Sequence, residues 1–456
     1  MKLTTSLALA AYWAIGAVAI PTAPKLGPLQ VFHNLPKLPP QWTIHGPADK
    51  TTKVKAQIDS PNYGKWLSKE EVDAFTAPPK ENVKAVKDWL NSSSISKVSQ
   101  PTSNWIEFVV PISAMESLLD AKYELFNHHT LGRPVPATTK YSVPKGLHGI
   151  IDLVTPTTAF YQNMGPTLQT SPVEERVDVV LENRQPCNTN AITPSCINSL
   201  YNVDYTSKGS ATAASTLFIN VAASHSDYQS LRSKYTSGLQ DFQYVSIAGG
   251  YNPGSGDQNT LLEGNLDTQY IGGVAAPNPS QLLAAGPNGQ EFEDQMANFA
   301  SYLNSASNPP STVSGSTGGG FSNRFSTPSY QQDDVTAYEK FDGNRANGYF
   351  NKNGRGYPDI SLVSLNFQVI TNGQTLNVLG TSASSPSWAA LVSVLNDYRK
   401  QQGKPNLGFI NPLLYSAKGK SGLRDITSGR NPGCGLQGFP ATGLGVLDFA
   451  KMRAVV

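Results

Sequence analysis

The run Val378-Leu379-Gly380-Thr381-Ser382-Ala383-Ser384-Ser385-Pro386-Ser387-Trp388-Ala389-Ala390-Leu391-Val392 constrains the fold more than any other stretch of this chain. An apolar, strand-like segment meets an apolar, helix-like one through a tight polar turn. Gly-Thr-Ser lets the backbone bend sharply, and Pro386 suits the first turn of a helix, where its missing N–H is not needed. The pattern predicts strand, corner and helix, with Ser382 at the corner. There a hydroxyl stands at a helix N-terminus, whose free N–H groups and dipole stabilise developing negative charge. A nucleophilic serine is presented in this way. The competing reading of the turn is that Ser382 is one helix-capping serine among four.

At 456 residues, with 39% hydrophobic and 15% charged, the chain has material for two or three domains with large cores. A net charge of +2 gives no reason to expect a nucleic-acid partner. Residues 1–19 carry one early cation, Lys2, then an apolar run through Leu7 and Trp13, and end in Ala17-Val18-Ala19. This reads as a secretory signal with a small-x-small cleavage site, too short to stay as a membrane span. No later segment is long and apolar enough to span a bilayer, so the expected location is extracellular, with no membrane partner. Cysteine usage agrees with export. Cys187 and Cys196 flank a turn-rich loop that can close as a disulfide in an oxidising compartment, leaving Cys434 over.

After the signal, a small α+β region is expected. Ser68 with Glu71 three residues on is a capping box, Glu81 to Leu90 repeats apolar residues at helical spacing, Trp105 to Val110 reads as a strand, and Ile112 to Leu119 as a second amphipathic helix. From Leu131 to about Asn183 the chain is rich in Pro and Thr, as a linker is. Downstream, Ser215 to Ala222 and Phe242 to Ala248 read as strands and Asp227 to Tyr235 as a helix, an alternation that points to a mostly parallel α/β sheet.

A serine nucleophile needs a base. Five of the six histidines, His33, His45, His128, His129 and His148, precede the end of the linker, and His225 sits in a polar Ser-His-Ser-Asp context. A Ser-His-Asp triad is therefore not the expectation. In Leu262-Glu263-Gly264-Asn265-Leu266-Asp267, two carboxylates fall four apart on one face of a helix. Like charges at that spacing cost an isolated helix a few tenths of a kcal/mol. Sharing a proton removes the cost and lets Asp267 orient Glu263 while Glu263 takes the proton of Ser382. A solvated acidic helix face is the plain alternative.

Glu263-Gly-Asn-Leu-Asp267-Thr-Gln-Tyr followed by Gly380-Thr381-Ser382-Ala383-Ser384-Ser385-Pro386 resembles the sedolisin family of serine-carboxyl peptidases, in particular the secreted fungal tripeptidyl-peptidase branch. Gly318-Gly319-Gly320-Phe321-Ser322-Asn323 is similar to the family's substrate-binding segment. Gly354-Arg355-Gly356-Tyr357-Pro358-Asp359 matches the strand entry before the serine, and Ser60-Pro61-Asn62-Tyr63-Gly64 resembles the activation propeptide. The resemblance covers nearly the whole chain after the signal. It implies a subtilisin-like, mostly parallel α/β catalytic domain over residues 184–456, behind an α+β, ferredoxin-like activation propeptide with linker over 20–183. It also implies Ser382 as nucleophile, Glu263 as general base and acid, Asp267 as its orienting partner, and Gly318, Gly319 and Gly320 as substrate-binding. The partners implied are a peptide or protein substrate and the chain's own propeptide, in a monomer.

Three features of that family are incomplete here. Its oxyanion-stabilising aspartate belongs to a Ser-Gly-Asp motif between the glutamate pair and the glycine-rich segment, and residues 268–317 contain none. Its calcium site uses an aspartate and the next carbonyl, here Asp425 and Ile426, and a later aspartate in Gly-Trp-Asp-Pro; Phe439-Pro440-Ala441-Thr442 instead runs directly into Gly443. Calcium takes six to eight oxygens, so half a site is a poor one. In the propeptide, Lys53-Val54-Lys55-Ala56 reaches Ser60-Pro61 without the strand and helix expected between them. Such abrupt joins look like removed segments. Two functions stay open: an acid-acting secreted peptidase made as a zymogen, and a catalytically impaired relative that at most binds peptides.

Overall fold

The computed structural model describes residues 4–10, 77–100, 103–127, 134–155, 187–217, 221–286, 292–315, 327–342, 354–427 and 442–456, with short pieces at 157–158, 168–171 and 178–179 and single residues between 68 and 74. The described residues fall into two compact units, one up to residue 158 and one from residue 168 to the C-terminus.

The first unit is a four-stranded antiparallel sheet with two helices. Its elements are β1 (Thr4–Ala10), α1 (Lys80–Ser92), β2 (Val98–Ser99), β3 (Trp105–Pro111), α2 (Ile112–Leu119), a two-stranded pair β4 (Glu124–Asn127) and β5 (Pro134–Ala137), and β6 (Leu153–Thr155). The sheet order β2-β3-β1-β6 is that of a split β-α-β, ferredoxin-like domain. In β3, Ile106 and Phe108 point inward while Val109 is exposed, the period of a half-buried strand. Val86 and Leu90 of α1 and Met115, Leu118 and Leu119 of α2 fill the core at helical spacing. Asp120, in the left-handed region at φ 45°, ends α2. Upstream, the capping box is realised in both directions, Ser68 N donating to Glu71 Oε2 at 2.7 Å and Glu71 N to Ser68 Oγ at 3.2 Å.

Thr4–Ala10, inside the stretch read as an export signal, forms the strand between β3 and β6. One expectation changes here. The stretch from Leu131 is not wholly linker, since it holds β5 and β6, and β6 completes the sheet. Two- to four-residue strands carry too little alternation to register, and Pro134 and Pro136 mask β5.

The second unit contains β7 (Gln169–Ser171), β8 (Asp178–Val179) paired with β9 (Cys187–Asn188), α3 (Pro194–Leu200), β10 (Ala213–Leu217), α4 (His225–Tyr235), β11 (Gln243–Ser246), α5 (Gln258–Ala275), β12 (Ser280–Ala284), α6 (Phe292–Ser305), β13 (Thr312–Ser314), α7 (Gln332–Asp342), β14 (Phe367–Thr371), β15 (Gln374–Leu379) and α8 (Ser384–Gln401). Strands β11-β12-β10-β13 form the expected parallel sheet, and β14-β15-β7 an antiparallel one. Among the described residues β13 pairs only with β10, so the parallel sheet ends there.

Helix α5 is the centre of this unit. Every residue from Leu261 to Ala275 is buried, so there is no solvated acidic face. Glycine is needed three times along it: a Cβ on Gly264 would collide with the Ala222 carbonyl, one on Gly272 with the Tyr228 hydroxyl, and one on Gly273 with the Pro194 ring.

Cys187 and Cys196 are joined, and both are buried in the core of the second unit. Cys434 lies outside the described residues. Peptide mapping without reduction is expected to recover the 187–196 link with Cys434 in no intramolecular bridge; a Cys434 bridge to either partner would overturn this.

Candidate active site

The corner at Ser382 is built by a hairpin and two helices. Asn372 and Gly373 join β14 to β15 with φ of 51° and 74°, the left-handed pair a type I′ hairpin requires. At the other end of β15, Gly380 N donates to the Ser364 carbonyl at 2.9 Å, and Thr381–Ala383 make one tight turn closed by Ala383 N on the Gly380 carbonyl at 3.0 Å. Helix α8 then starts with Ala383 as N-cap and no side-chain cap. Ser382 is therefore not a capping serine. The other three serines fasten the turn: Ser384 Oγ donates to the Leu362 and Val363 carbonyls at 3.1 and 3.2 Å, Ser385 Oγ meets Ser314 Oγ at 2.9 Å, and Ser387 Oγ donates to the Ala383 carbonyl at 2.9 Å. Ser382 is half-buried at the corner.

Glu263 and Asp267 come from α5, which packs on both the Thr381–Ala383 turn and α8. The structure thus brings the elements bearing all three expected residues together. Glu263 is 5% exposed and Asp267 1%. The helix is anchored to β14 by its other polar side chains. Gln269 exchanges two hydrogen bonds with Ile370, Nε2 to the carbonyl at 2.7 Å and Ile370 N to Oε1 at 3.0 Å, and Tyr270 OH donates to the Ile192 and Gln368 carbonyls. Asn265 donates to Asp227 Oδ2 at 2.9 Å and accepts from Ser224 N at 2.8 Å. Asp227 also accepts from Asn372 N and Gly373 N, both at 2.9 Å, tying the hairpin turn to α4. Nothing in the sequence pattern marks Asn265 or Asp227 for this work, since each is one polar residue inside a helical run.

The chain's Ser-Gly-Asp lies at 255–257, before the glutamate, and Asp257 is the N-cap of α5, accepting from Thr260 N at 2.8 Å. That bond holds its carboxyl below the usual range.

Gly318, Gly319 and Gly320 lie outside the described residues. Asp425 and Ile426 are exposed, just beyond β16 (Leu423–Arg424), which pairs with β17 (Val446–Leu447). The nearest spare carboxylate in sequence, Asp448, caps the C-terminal helix, accepting from Lys451 N at 3.3 Å and Asn202 Nδ2 at 3.0 Å. Among the described residues no three His, Cys, Asp or Glu side chains are grouped to hold a metal ion. A polar cavity of about 240 Å³ opens at the start of α4, lined by Ser224, Ser226, Asp227 and Asn372 among others. It lies at the turn end of the hairpin, away from Ser382.

Residues 40–160 match the family model "Pro-kumamolisin, activation domain". Over its length the chain is similar to the tripeptidyl-peptidase SED4 of Arthroderma otae, at 27% identity over 91% of this chain and 89% of the relative, and to the probable tripeptidyl-peptidase SED4 of Trichophyton verrucosum, at 26% over 96% of each. The first alignment runs over 543 positions although this chain has 456 residues, so the relative carries sequence with no counterpart here. Among solved structures, a Pseudomonas sedolisin, a serine-carboxyl proteinase, aligns over 58% of this chain and 97% of its own at 19% identity and a TM-score of 0.41. No helix among the described residues is long and apolar enough to cross a membrane.

Proposed function

We propose that this chain, a sedolisin-type peptidase with its activation domain, is a secreted serine-carboxyl peptidase made as a zymogen and acting in acid on peptides, with Ser382 as nucleophile, Glu263 as base and Asp267 as the partner that orients Glu263. The packing of α5, with both carboxyl groups buried, against the Ser382 corner carries this reading. Two buried carboxyls one helical turn apart favour a shared proton over two charges. Glu263 takes the Ser382 Oγ proton as Oγ adds to the scissile carbonyl, then gives it to the departing amine nitrogen as the C–N bond breaks, leaving an ester on Ser382. Water adds to the ester, Glu263 receives the water's proton, and that proton returns to Oγ as the acid leaves. With glutamate's ordinary pKa of about 4.3, such a base works where histidine is protonated.

Calcium is the family's expected cofactor, but Asp425 and Ile426 alone do not make a site, and no step here uses the ion. The end of the parallel sheet at β13 and the absence of Ser-Gly-Asp from residues 268–317 favour a second reading, in which the chain is catalytically impaired and retains peptide binding.

The names of the relatives make a tripeptidyl reporter the first substrate to try. After acid removal of the activation domain, hydrolysis above that of Ser382→Ala and of Glu263→Gln is expected, with loss in both variants. Parent and Ser382→Ala rates that coincide, with peptide still bound, would replace this reading by the second.

A further inference from the structure

We infer that Ser314, the last residue of β13, is a positioning residue for Ser382; the inference rests on the reading of Ser382 as nucleophile. Helix α8 lies across β10 and β13 and is clamped to β13 at two points. Ser385 Oγ meets Ser314 Oγ at 2.9 Å, and Asn396 Nδ2 donates to Thr312 Oγ1 at 3.3 Å and the Ser311 carbonyl at 3.4 Å. Leu407 N holds the Asn396 amide in that orientation, donating to Oδ1 at 2.8 Å. Ser385 and Asn396 are eleven residues apart, almost a whole number of turns at 3.6 residues per turn, so they share one face of α8. Ser314, Ser311 and Thr312 lie on one three-residue strand and its entry. Two polar contacts from one helix face to one short strand fix how far α8 slides along β13, which neither apolar packing nor a single bond would fix.

The Ser314 contact is the one near the chemistry. Ser385 follows Ser382 by three residues, so the bond that seats Ser385 also seats the corner. Ser314 is 2% exposed, and a hydroxyl pair away from water exchanges poorly for solvent. The structure places Ser314 against the nucleophile's first helical turn.

Ser215 supplies the control. It is the register partner of Ser314 on β10, fully buried on the same face of the sheet, and its hydroxyl has no hydrogen-bond partner among the described residues. Removing it deletes the same atom from the same layer without removing a hydrogen bond to α8.

The test compares Ser314→Ala, Ser314→Thr and Ser215→Ala in the full chain after activation. Displacement by about 1 Å can cost about 10²-fold in rate. Ser314→Ala is expected to lower kcat on the tripeptidyl reporter roughly 10- to 100-fold with KM unchanged, Ser314→Thr to restore most of it, and Ser215→Ala to match the parent. Ser314→Ala with the parent's kcat, or Ser215→Ala falling equally, would overturn the assignment. If the parent reacts no faster than Ser382→Ala, the proposed function has failed, and amide exchange over Ser384–Ala389 then decides. Faster exchange in Ser314→Ala than in Ser215→Ala supports the positioning role; equal exchange removes it.

Discussion

The activated chain is expected to hydrolyse a tripeptidyl reporter at least 10²- to 10³-fold more slowly than an intact relative such as the Arthroderma otae enzyme, the loss typical of one oxyanion donor. In the sedolisin resemblance that donor is a protonated aspartate in a Ser-Gly-Asp between Asp267 and Gly318, and this sequence has none there. Asp257 does not replace it: its carboxylate is taken up in capping α5, accepting from the Thr260 amide. Of the main-chain donors at the corner, Ala383 N is already given to the Gly380 carbonyl. The nucleophile and its base can thus be in place while the oxyanion they generate lacks a strong hydrogen-bond donor. The measurement is kcat for both enzymes in acid, with Ser382→Ala as blank. Turnover within tenfold of the relative, abolished by Ser382→Ala, would mean that another group stabilises the oxyanion.

Where local pattern and tertiary structure agree, the sequence was readable to the residue. Helix α2 coincides with Ile112–Leu119, and the Ser68–Glu71 capping box forms both of its bonds, because each depends on contacts within a few residues. The strand, corner and helix around Ser382 were legible for the same reason. The burial of α5 was not. Glu263 and Asp267 look like one polar face of an amphipathic helix, and only the glycine contacts at Ala222 and Tyr228 and the bonds of Asn265 and Gln269 to neighbouring strands make every face an inner one. The roles of Ser314 and Asp227 were hidden too, since their partners are 71 and 145 residues away.

Replacing Asp397 by Ala is expected to cost the second unit about 1.5–3 kcal/mol, the range for hydrogen bonds to a charged group. Asp397 lies on the buried face of α8, is 0% exposed, and gathers the loop from Tyr205 to Ser210 onto the helix. Its Oδ1 accepts from Ser210 N and Ser210 Oγ, each at 2.6 Å, and its Oδ2 from Lys208 N at 2.8 Å and Tyr205 OH at 2.7 Å. Alanine would take the acceptor from four donors, one on half-buried Tyr205 and three on the exposed residues Lys208 and Ser210, where water replaces part of the loss. Burial pushes the Asp397 carboxyl up, but these four donors outweigh it and hold it below the usual carboxylate range. A depressed folded value means that the stabilisation is complete above the unfolded value of about 3.9 and is lost as pH falls through the folded one. The lock therefore survives the mild acid in which a glutamate base operates and opens only in stronger acid. Melting followed against pH should show the parent losing stability below about pH 4, and Asp397→Asn, which cannot titrate, losing less over the same window from a lower starting point. A variant that melts with the parent at neutral pH, or a parent and Asp397→Asn that lose stability in parallel below pH of about 4, would show that these four bonds do not hold the loop to α8.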